Sequence, residues 1–187
     1  MKNYERGSNP SQYDDMSNSE MLDRMEKGWR RNKETICGPG SNIANSSYSL
    51  STIKEVIKNY SIKTMSDAGA GDLHWITQEP LGVSFQGYDL VPRHKDVLKF
   101  DITKEILPKT DLILCRHVLN HLSIKLSEEA LSNFSESSSK YLLVTMNPNQ
   151  KGYWDDFGLK PINHGWKYIQ SYQDYHTWNL VLYENIN

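Results

Sequence analysis

The chain has 187 residues, enough for one domain with a hydrophobic core and too few for two comfortable ones. Apolar residues make up 37% and charged residues 24% of the sequence, a composition typical of soluble globular proteins. The formal net charge of −2 gives no general attraction for nucleic acid, so the sequence argues against a nucleic-acid partner.

Two cysteines, Cys37 and Cys115, are too few for a disulfide framework or for a thiolate metal site. We expect both to be reduced thiols. The N-terminal residues contain no apolar signal core, and no apolar run approaches the ~20 residues that cross a bilayer. The sequence therefore predicts a cytoplasmic protein without a membrane segment.

The N-terminal part of the chain is predicted to be a tail followed by a helix. Residues 1–18 are polar and predict a flexible tail, whereas residues 19–187 predict a single domain. Apolar residues at helical spacing predict a helix over 19–32. The glycines and the proline at 38–40 predict a loop after that helix.

The rest of the chain alternates between helical segments and short apolar runs. Three helical segments are predicted: 49–60, 73–78, and 117–137 with a break near Ser123. Thr52 and Glu55 form a capping-box pattern in the first of them. Five apolar runs predict strands at 62–66, 83–90, 96–102, 110–116 and 140–146. The segment 166–185 predicts two more strands around a turn near Gln173 and Asp174.

This alternation predicts an α/β fold with a doubly wound, mostly parallel sheet. The last two strands predict an antiparallel strand at one edge. The stretch between Asp89 and Asp101 is shorter than the dozen or more residues of a helical crossover, so we predict a shortened crossover between strands two and three. One sheet face would then be barer than normal, and either the N-terminal helix or a second subunit could cover it, which leaves a homo-oligomer open.

Ligands of open α/β sheets bind at the carboxyl ends of the strands. Asp67 ends the first strand beside a turn that contains Gly69 and Gly71, and the next two strands end at Asp89 and Asp101. Carboxylates crowded on one rim repel one another. They therefore favour a ligand that offers hydroxyl groups and an amino group.

A nicotinamide dinucleotide is the weaker alternative. Its glycine motif needs a third glycine where this chain has His74. In addition, Asp67 and Asp72 would repel a pyrophosphate on this turn.

Four motifs in order, "DAGAGD", "GYDLVP", "FDIT" and "DLILCRHVLNHL", resemble those of class I S-adenosylmethionine-dependent methyltransferases, in particular the small single-domain members. The resemblance covers roughly 38–146. It implies a Rossmann-like methyltransferase fold, S-adenosylmethionine as cofactor, and methyl transfer to a small-molecule or sugar acceptor. The loop at 38–41 resembles the segment that closes over the cofactor, so we interpret 19–48 as an N-terminal helix and a lid loop.

The resemblance also implies a set of cofactor-binding residues. It places Asp89 at the ribose hydroxyls and Asp101 at the adenine amino group, and it places the glycine turn under the methionine portion. The end of the fourth strand lies along the methionine portion and faces the acceptor. The implied cofactor residues are Asp67, Gly69, Gly71, Asp89, Leu90, Asp101, Ile102, Cys115 and Arg116.

His117 and His121 are the candidate catalytic residues, since a histidine suits a base that works near neutral pH. Both could instead be structural. A metal pair is disfavoured because the zincin pattern requires a glutamate where Val118 stands, and we predict no metal site. The segment 147–165, rich in aromatic and acidic residues, is interpreted either as the wall of an acceptor pocket or as packing against the sheet.

Two further functions stay open at this stage. The shortened crossover, together with His117 at a position where relatives tend to carry an acid, allows an S-adenosylmethionine-binding protein without methyl transfer activity. A nicotinamide-dependent oxidoreductase is the weaker alternative.

Overall fold

The computed structural model describes residues 32–146, 160–174 and 178–187, together with Glu20 and Lys27. The predicted tail, almost all of the predicted N-terminal helix and most of the segment 147–165 lie outside the described residues.

The continuous described ranges, 32–146, 160–174 and 178–187, contain two α-helices and seven β-strands. The helices are α1 (Ile43–Asn59) and α2 (Ile124–Glu136). The strands are β1 (Thr64–Ala68), β2 (Ser84–Asp89), β3 (Val97–Lys99), β4 (Leu112–Cys115), β5 (Tyr141–Met146), β6 (Trp166–Gln173) and β7 (Asn179–Asn185). Short 3-10 turns occur at Pro39–Ser41, Leu119–His121 and Pro161–His164.

All seven strands form one sheet in the order β3-β2-β1-β4-β5-β7-β6. Strands β1 to β5 are parallel, and β7 pairs antiparallel with both β5 and β6. The predicted doubly wound, mostly parallel sheet with antiparallel pairing at one edge is therefore confirmed. Because β6 is antiparallel to β7, it runs in the same direction as β1 to β5.

The centre of the sheet is apolar on both faces because a helix packs on each side. Every residue of β4 is buried, as its continuous apolar sequence predicts. Ile53 of α1 belongs to the cluster that contains Leu112 and Leu143 on one face. Phe134 of α2 belongs to the cluster that contains Ile113 on the other. Successive residues of β4 thus face opposite layers.

The shortened crossover between β2 and β3 is confirmed, since the fully described segment 90–96 contains no α-helix. The predicted helix over 73–78 is wrong, because residues 74–77 form a turn. Leu73 has a left-handed backbone (φ 59°), which a right-handed helix cannot include. Strand β3 is also shorter than predicted, and Leu98 within it is half-exposed.

Helix α1 begins six residues before its predicted start, so Thr52 lies in the helix interior and the predicted capping box is wrong. The sequence does not predict the first turns of α1 because the side chains buried there are those of Ser46 and Ser49, and serines do not contribute to an apolar periodicity. The predicted break at Ser123 is confirmed, since its hydroxyl accepts a hydrogen bond from the Leu126 N–H and caps α2.

In the part of the chain that the structure describes, none of the helices has the length and apolar character needed to cross a membrane.

The buried core predicts the effect of truncating its side chains. Leu143→Ala in β5 should lower the free energy of unfolding by about 2–5 kcal/mol, because it leaves a cavity between the sheet and α1. Leu98→Ala, the same change on an exposed strand, should stay within about 0.5 kcal/mol. Urea denaturation followed by circular dichroism measures both, and equal losses would contradict this packing.

Candidate functional site

The carboxyl ends of β1 to β5 and of β6 lie at one edge of the sheet, because these strands share one direction. The chain leaves β1 towards β2 on one side, whereas β4 lies on the other side of β1. This is the topological switch point at which open α/β sheets bind ligands. The residues that follow these strand ends are therefore the candidate site.

The turn after β1 depends on its two glycines. Gly69 (φ 97°) and Gly71 (φ 59°) have left-handed backbones. A Cβ at Gly69 would collide with the Val118 side chain, and a Cβ at Gly71 would lie 2.6 Å from Sγ of Cys37. The glycines thus permit close approach of side chains from two other segments.

Leu73 stands two residues after Gly71 and has the third left-handed backbone of this turn (φ 59°). A residue other than glycine is strained in this conformation, and burial of the Leu73 side chain offsets the strain. Space for it comes from Gly87 of β2, where a Cβ would lie 2.9 Å from Cβ of Ala70 and 3.3 Å from the Leu73 side chain.

Asp67 is a buried carboxylate at the end of β1, with 3% of the residue exposed. Burial and then the charge of Asp89 raise the pKa of Asp67 to about 7, against the opposing charge of Arg116. Within the described residues, no hydrogen bond reaches this carboxylate. Asp67 is therefore suited to receive a donor or a cation from a ligand.

Asp89 ends β2 and faces the glycine turn. Its carboxylate oxygens accept hydrogen bonds from the N–H groups of Gly71 (2.9 Å) and Val91 (2.9 Å). Burial raises the pKa of Asp89, and these hydrogen bonds offset only part of that effect. Each oxygen keeps a lone pair for a further donor.

Asp101 lies in a turn beyond β3, since that strand ends at Lys99. Its carboxylate accepts hydrogen bonds from the backbone and hydroxyl of Thr103 and pairs with Lys104 at 3.2 Å. Burial favours a higher pKa for Asp101, but these partners outweigh it and the pKa lies below its ordinary value. Asp67 and Asp89 thus interact with each other, whereas Asp101 has partners of its own.

The other predicted cofactor residues are mostly buried. Cys115 is inaccessible, and burial followed by the charge of Asp67 raises the pKa of its thiol. Ile102 packs in the core cluster on the α2 face of the sheet, and Leu90 is half-exposed directly after β2. Only Leu90 among these three offers a surface to a ligand.

Arg116, immediately after β4, has its guanidinium group occupied by other parts of the protein. It donates hydrogen bonds to the Ser49 hydroxyl (2.7 Å) and to the carbonyl of Gly40 (2.9 Å). It also pairs with Asp174 at 3.3 Å and lies 4.8 Å from the centroid of the Trp75 ring. The side chain thus joins β4 to α1, to the loop before α1 and to the end of β6.

His117 follows Arg116 and has a left-handed backbone (φ 53°). Its N–H donates to the Thr145 hydroxyl (3.0 Å), and its Nε2 lies 3.2 Å from Oδ2 of Asp174. The edge of the imidazole also contacts the Trp178 ring, with centroids 5.4 Å apart. Asp174 is buried at the end of β6, and the sequence carries no local signal for this role.

His121 lies at the end of the 3-10 turn that follows β4. Burial, followed by the charge of His117, lowers the pKa of His121 to about 4. A neutral imidazole is therefore expected at physiological pH. Among the described residues, no group of three or more histidine, cysteine or acidic side chains could hold a metal ion.

The segment before α1 is attached to the glycine turn, which sequence reasoning did not anticipate in this form. Asp72 accepts hydrogen bonds from the Thr35 hydroxyl (2.5 Å) and the Ile36 N–H (3.2 Å). Glu34 lies 3.2 Å from the His74 ring and also accepts from the Ile43 N–H. Residues 34–37 therefore lie across the turn, next to Gly71.

Solved structures with the same fold are numerous. The magnesium protoporphyrin IX methyltransferase of Synechocystis PCC 6803, solved with bound SAM, superposes with a TM-score of 0.59 at 12% identity, covering 76% of this chain and 80% of that chain. A TehB-like SAM-dependent methyltransferase of Corynebacterium glutamicum gives 0.56 at 14% identity, covering 76% and 95%. No protein-family model and no curated protein sequence matches the chain. The likeness shows that the chain has the class I methyltransferase fold.

The contact at Gly69 predicts a large effect of adding one methyl group. Gly69→Ala should lower the free energy of unfolding by about 3 kcal/mol or more, because the new Cβ collides with Val118 and the backbone is strained. Gly82→Ala is the matched control, since Gly82 also has a positive φ but no atom within 4 Å of the added Cβ, and it should cost about 1 kcal/mol. Urea denaturation compares the two, and equal costs would show that the Val118 contact is absent.

Because the pKa of Asp67 is raised, we predict that the free energy of unfolding decreases as the pH rises. The folded state binds the proton of Asp67 more tightly than the unfolded state does, so stability decreases between about pH 4 and pH 7. Asp67→Asn should therefore stabilise the ligand-free protein at pH 8, by up to on the order of 4 kcal/mol, and have little effect at pH 4. Urea denaturation at both pH values measures this difference.

Asp111 provides a control, because its pKa is shifted in the opposite direction from that of Asp67. Burial alone favours a higher pKa for Asp111, but hydrogen bonds from Lys63 and Thr64 lower it. Asp111→Asn should destabilise the protein at pH 8 and less so below the pKa of the folded state. A stabilisation by Asp67→Asn that is the same at both pH values would contradict the assigned ionisation.

Proposed function

We propose that this protein binds S-adenosylmethionine at the carboxyl edge of the sheet and transfers its methyl group to a small-molecule or sugar acceptor. The observation that carries the proposal is the buried Asp67 carboxylate, with no hydrogen bond from the described residues, beside the left-handed glycine turn. It is supported by the fold, which the magnesium protoporphyrin IX methyltransferase uses with bound SAM and with bound SAH.

The charges at the edge fit this cofactor. The methionine portion carries an ammonium group, and a buried carboxylate such as Asp67 gains most from a cationic partner. The ribose carries two hydroxyl groups, and Asp89 can accept from them with the lone pairs that Gly71 and Val91 leave. When bound, the cofactor supplies an electrophilic methyl group on a sulfonium sulfur.

The remaining predicted cofactor residues differ in how directly they contact the cofactor in this proposal. Leu90 contacts the adenine, while Cys115 and Ile102 shape the floor of the site from within the core. Asp101 reaches the adenine amino group only with the oxygen that Lys104 now holds, so its contribution is small. Arg116 acts through its neighbours, because its guanidinium is already bound.

The charges do not fit a nicotinamide dinucleotide equally well. A pyrophosphate on the glycine turn would meet the Asp72 carboxylate and Glu34, which pairs with His74 at the position of the missing third glycine. It would also lie beside Asp67 and Asp89. Four carboxylates oppose a dianion at this place.

Titration calorimetry tests cofactor binding directly. S-adenosylmethionine and its demethylated product should bind with micromolar or tighter affinity, and NAD should not. Absence of binding by the first two at high micromolar concentration would contradict the proposal. Binding without any transfer of labelled methyl to small-molecule extracts would indicate the binding protein without transfer activity.

Asp89→Ala should weaken binding of the demethylated product by about 1.5–3 kcal/mol, roughly 10- to 150-fold, because two charge-assisted hydrogen bonds to the ribose are lost. Asp96→Ala, at an exposed aspartate, is the control and should leave affinity unchanged. Calorimetry measures both, with urea denaturation to confirm folding. An affinity of Asp89→Ala equal to that of the unchanged protein would show that the ribose lies elsewhere.

A further inference from the structure

The segment before α1 is a short loop whose two ends lie close together. The side chain of Asn32 donates a hydrogen bond to the side chain of Asn42 (2.7 Å), so the residues between them leave and return at one place. Near the second end, the Gly40 carbonyl accepts a hydrogen bond from the buried guanidinium of Arg116 (2.9 Å). The part of the loop that lies across the glycine turn is 34–37, and we call it the strap.

Alternate side chains of the strap face the glycine turn. Thr35 and Cys37 are buried, whereas Glu34 and Ile36 are exposed. Sγ of Cys37 lies against Gly71, where an added Cβ would be 2.6 Å away. The strap therefore buries only two side chains, both small, and apolar burial contributes little to holding it on the turn.

The carboxylate of Asp72 holds the strap to the turn. Its Oδ2 accepts hydrogen bonds from the Thr35 hydroxyl (2.5 Å) and from the Ile36 N–H (3.2 Å), and its Oδ1 accepts from the His74 N–H (3.2 Å). The Thr35 hydroxyl in turn accepts from the Cys37 N–H (3.1 Å). Burial favours a higher pKa for Asp72, but its hydrogen bonds outweigh this and the pKa lies below its ordinary value. We call the bonded Thr35 hydroxyl and Asp72 carboxylate the latch.

The other polar contact between the strap and the turn is weaker. Glu34 lies 3.2 Å from the His74 ring, but both side chains reach the solvent, which screens the pair. The same oxygen of Glu34 also accepts a hydrogen bond from the Ile43 N–H at the start of α1. Glu34 is thus bound to the helix as well as to the turn, and the latch is the main polar attachment of the strap to the turn.

The latch is next to the carboxylate that we propose to bind the ribose. Gly71 directly precedes Asp72, and its N–H donates to Oδ2 of Asp89 (2.9 Å). Burial raises the pKa of the Cys37 thiol to about 11, and the charges of Asp72 and Asp89 add to that effect. The thiol therefore lies within electrostatic reach of both carboxylates. A ligand hydroxyl on Asp89 and the strap on Asp72 act on neighbouring residues of one turn.

We propose that the strap opens and closes over the glycine turn through the latch between Thr35 and Asp72, and that the cofactor binds only the closed form. The coupling to the cofactor rests on the proposed function, since it requires the ribose at Asp89. In the closed form the strap and the His74 N–H hold Asp72 on its two oxygens, which fixes the direction of the adjacent Gly71 N–H towards Asp89. Binding must then lower the fraction of open strap, because coupling between two equilibria is reciprocal.

The two cysteines of the chain report local opening and global unfolding separately. Cys37 belongs to the strap, whereas Cys115 is completely buried in β4. N-ethylmaleimide labelling, mapped by mass spectrometry, should modify Cys37 about tenfold faster than Cys115, and about tenfold or more slowly than in the urea-unfolded protein. Equal rates for the two cysteines, or a Cys37 rate equal to that of the unfolded protein, would overturn the proposal.

Thr35→Val removes the hydroxyl of the latch and should raise the Cys37 labelling rate of the ligand-free protein by about tenfold or more, the effect of losing a hydrogen bond to a charged group. Thr35→Ser keeps the hydroxyl and should label at close to the original rate. Thr77→Val is the matched control, because the Thr77 hydroxyl donates to the Leu73 carbonyl (2.9 Å) in the same turn, and it should leave the rate unchanged.

Equal Cys37 rates in Thr35→Val and Thr77→Val would overturn the latch. The Cys115 rate shows whether each variant is folded. Should Thr35→Val fail to fold, the ratio of Cys37 to Cys115 labelling in the unchanged protein still decides whether the strap opens.

The demethylated product of S-adenosylmethionine tests the coupling. At about 20 times its Kd it should slow Cys37 labelling about 20-fold, since only the closed form binds it. An unchanged or faster rate with the product bound would overturn the coupling and leave the proposed function intact. A product that does not bind in calorimetry would remove the proposed function and the coupling together, whereas the ligand-free comparison of the threonine variants would still decide the latch.

Discussion

The buried ion pair between Arg116 and Asp174 is the contact on which the organisation of the site depends. Arg116 leaves β4 and Asp174 leaves β6, and the same guanidinium also binds α1 and the loop before it. A buried pair contributes little net stability, but removal of one partner leaves an unpaired charge that costs roughly 3–5 kcal/mol. Segments from three distant parts of the sequence are therefore held in one arrangement, with His117 beside them.

Several residues at the carboxyl edge of the sheet, next to this pair, lower the stability of the fold. Burial raises the pKa of both Asp67 and Asp89, and Leu73 and His117 adopt left-handed backbones. Each of these features costs free energy that the apolar layers around β4 and β5 offset. Such a concentration of unfavourable features at one edge is typical of a binding site, where a ligand supplies the missing partners.

The sequence predicts those parts of the fold whose cause is local. β4 and β5 are predictable because continuous apolar runs follow from burial on both faces, and the break before α2 is predictable because Ser123 caps the helix. The sequence pattern predicts a helix where the structure has a turn at 74–77. The difference arises because the left-handed backbone of Leu73 depends on space that Gly87 of β2 provides for its side chain. That cause lies in another strand and leaves no trace in the local pattern.

The residues of the candidate site also divide into those that local sequence identifies and those whose role depends on distant contacts. Strand ends and spacing identify Asp67 and Asp89. They do not identify Asp174, whose contacts with Arg116 and Ser49 span 58 and 125 positions of the sequence. The resemblance to class I methyltransferases implies that Arg116, at the end of the fourth strand, binds the cofactor. Its side chain turns instead towards α1, because the buried Asp174 carboxylate and the Ser49 hydroxyl lie there.

These contacts also join the two sides of the site physically. In the loop before α1, the Gly40 carbonyl accepts a hydrogen bond from Arg116. Residues just upstream lie across the glycine turn, where they donate hydrogen bonds to Asp72. Any movement of this loop over a bound cofactor must lengthen or re-form its hydrogen bond to the guanidinium. Because that guanidinium also holds Oδ1 of Asp174, the position of the segment over the glycine turn and the orientation of the His117 ring depend on one shared side chain.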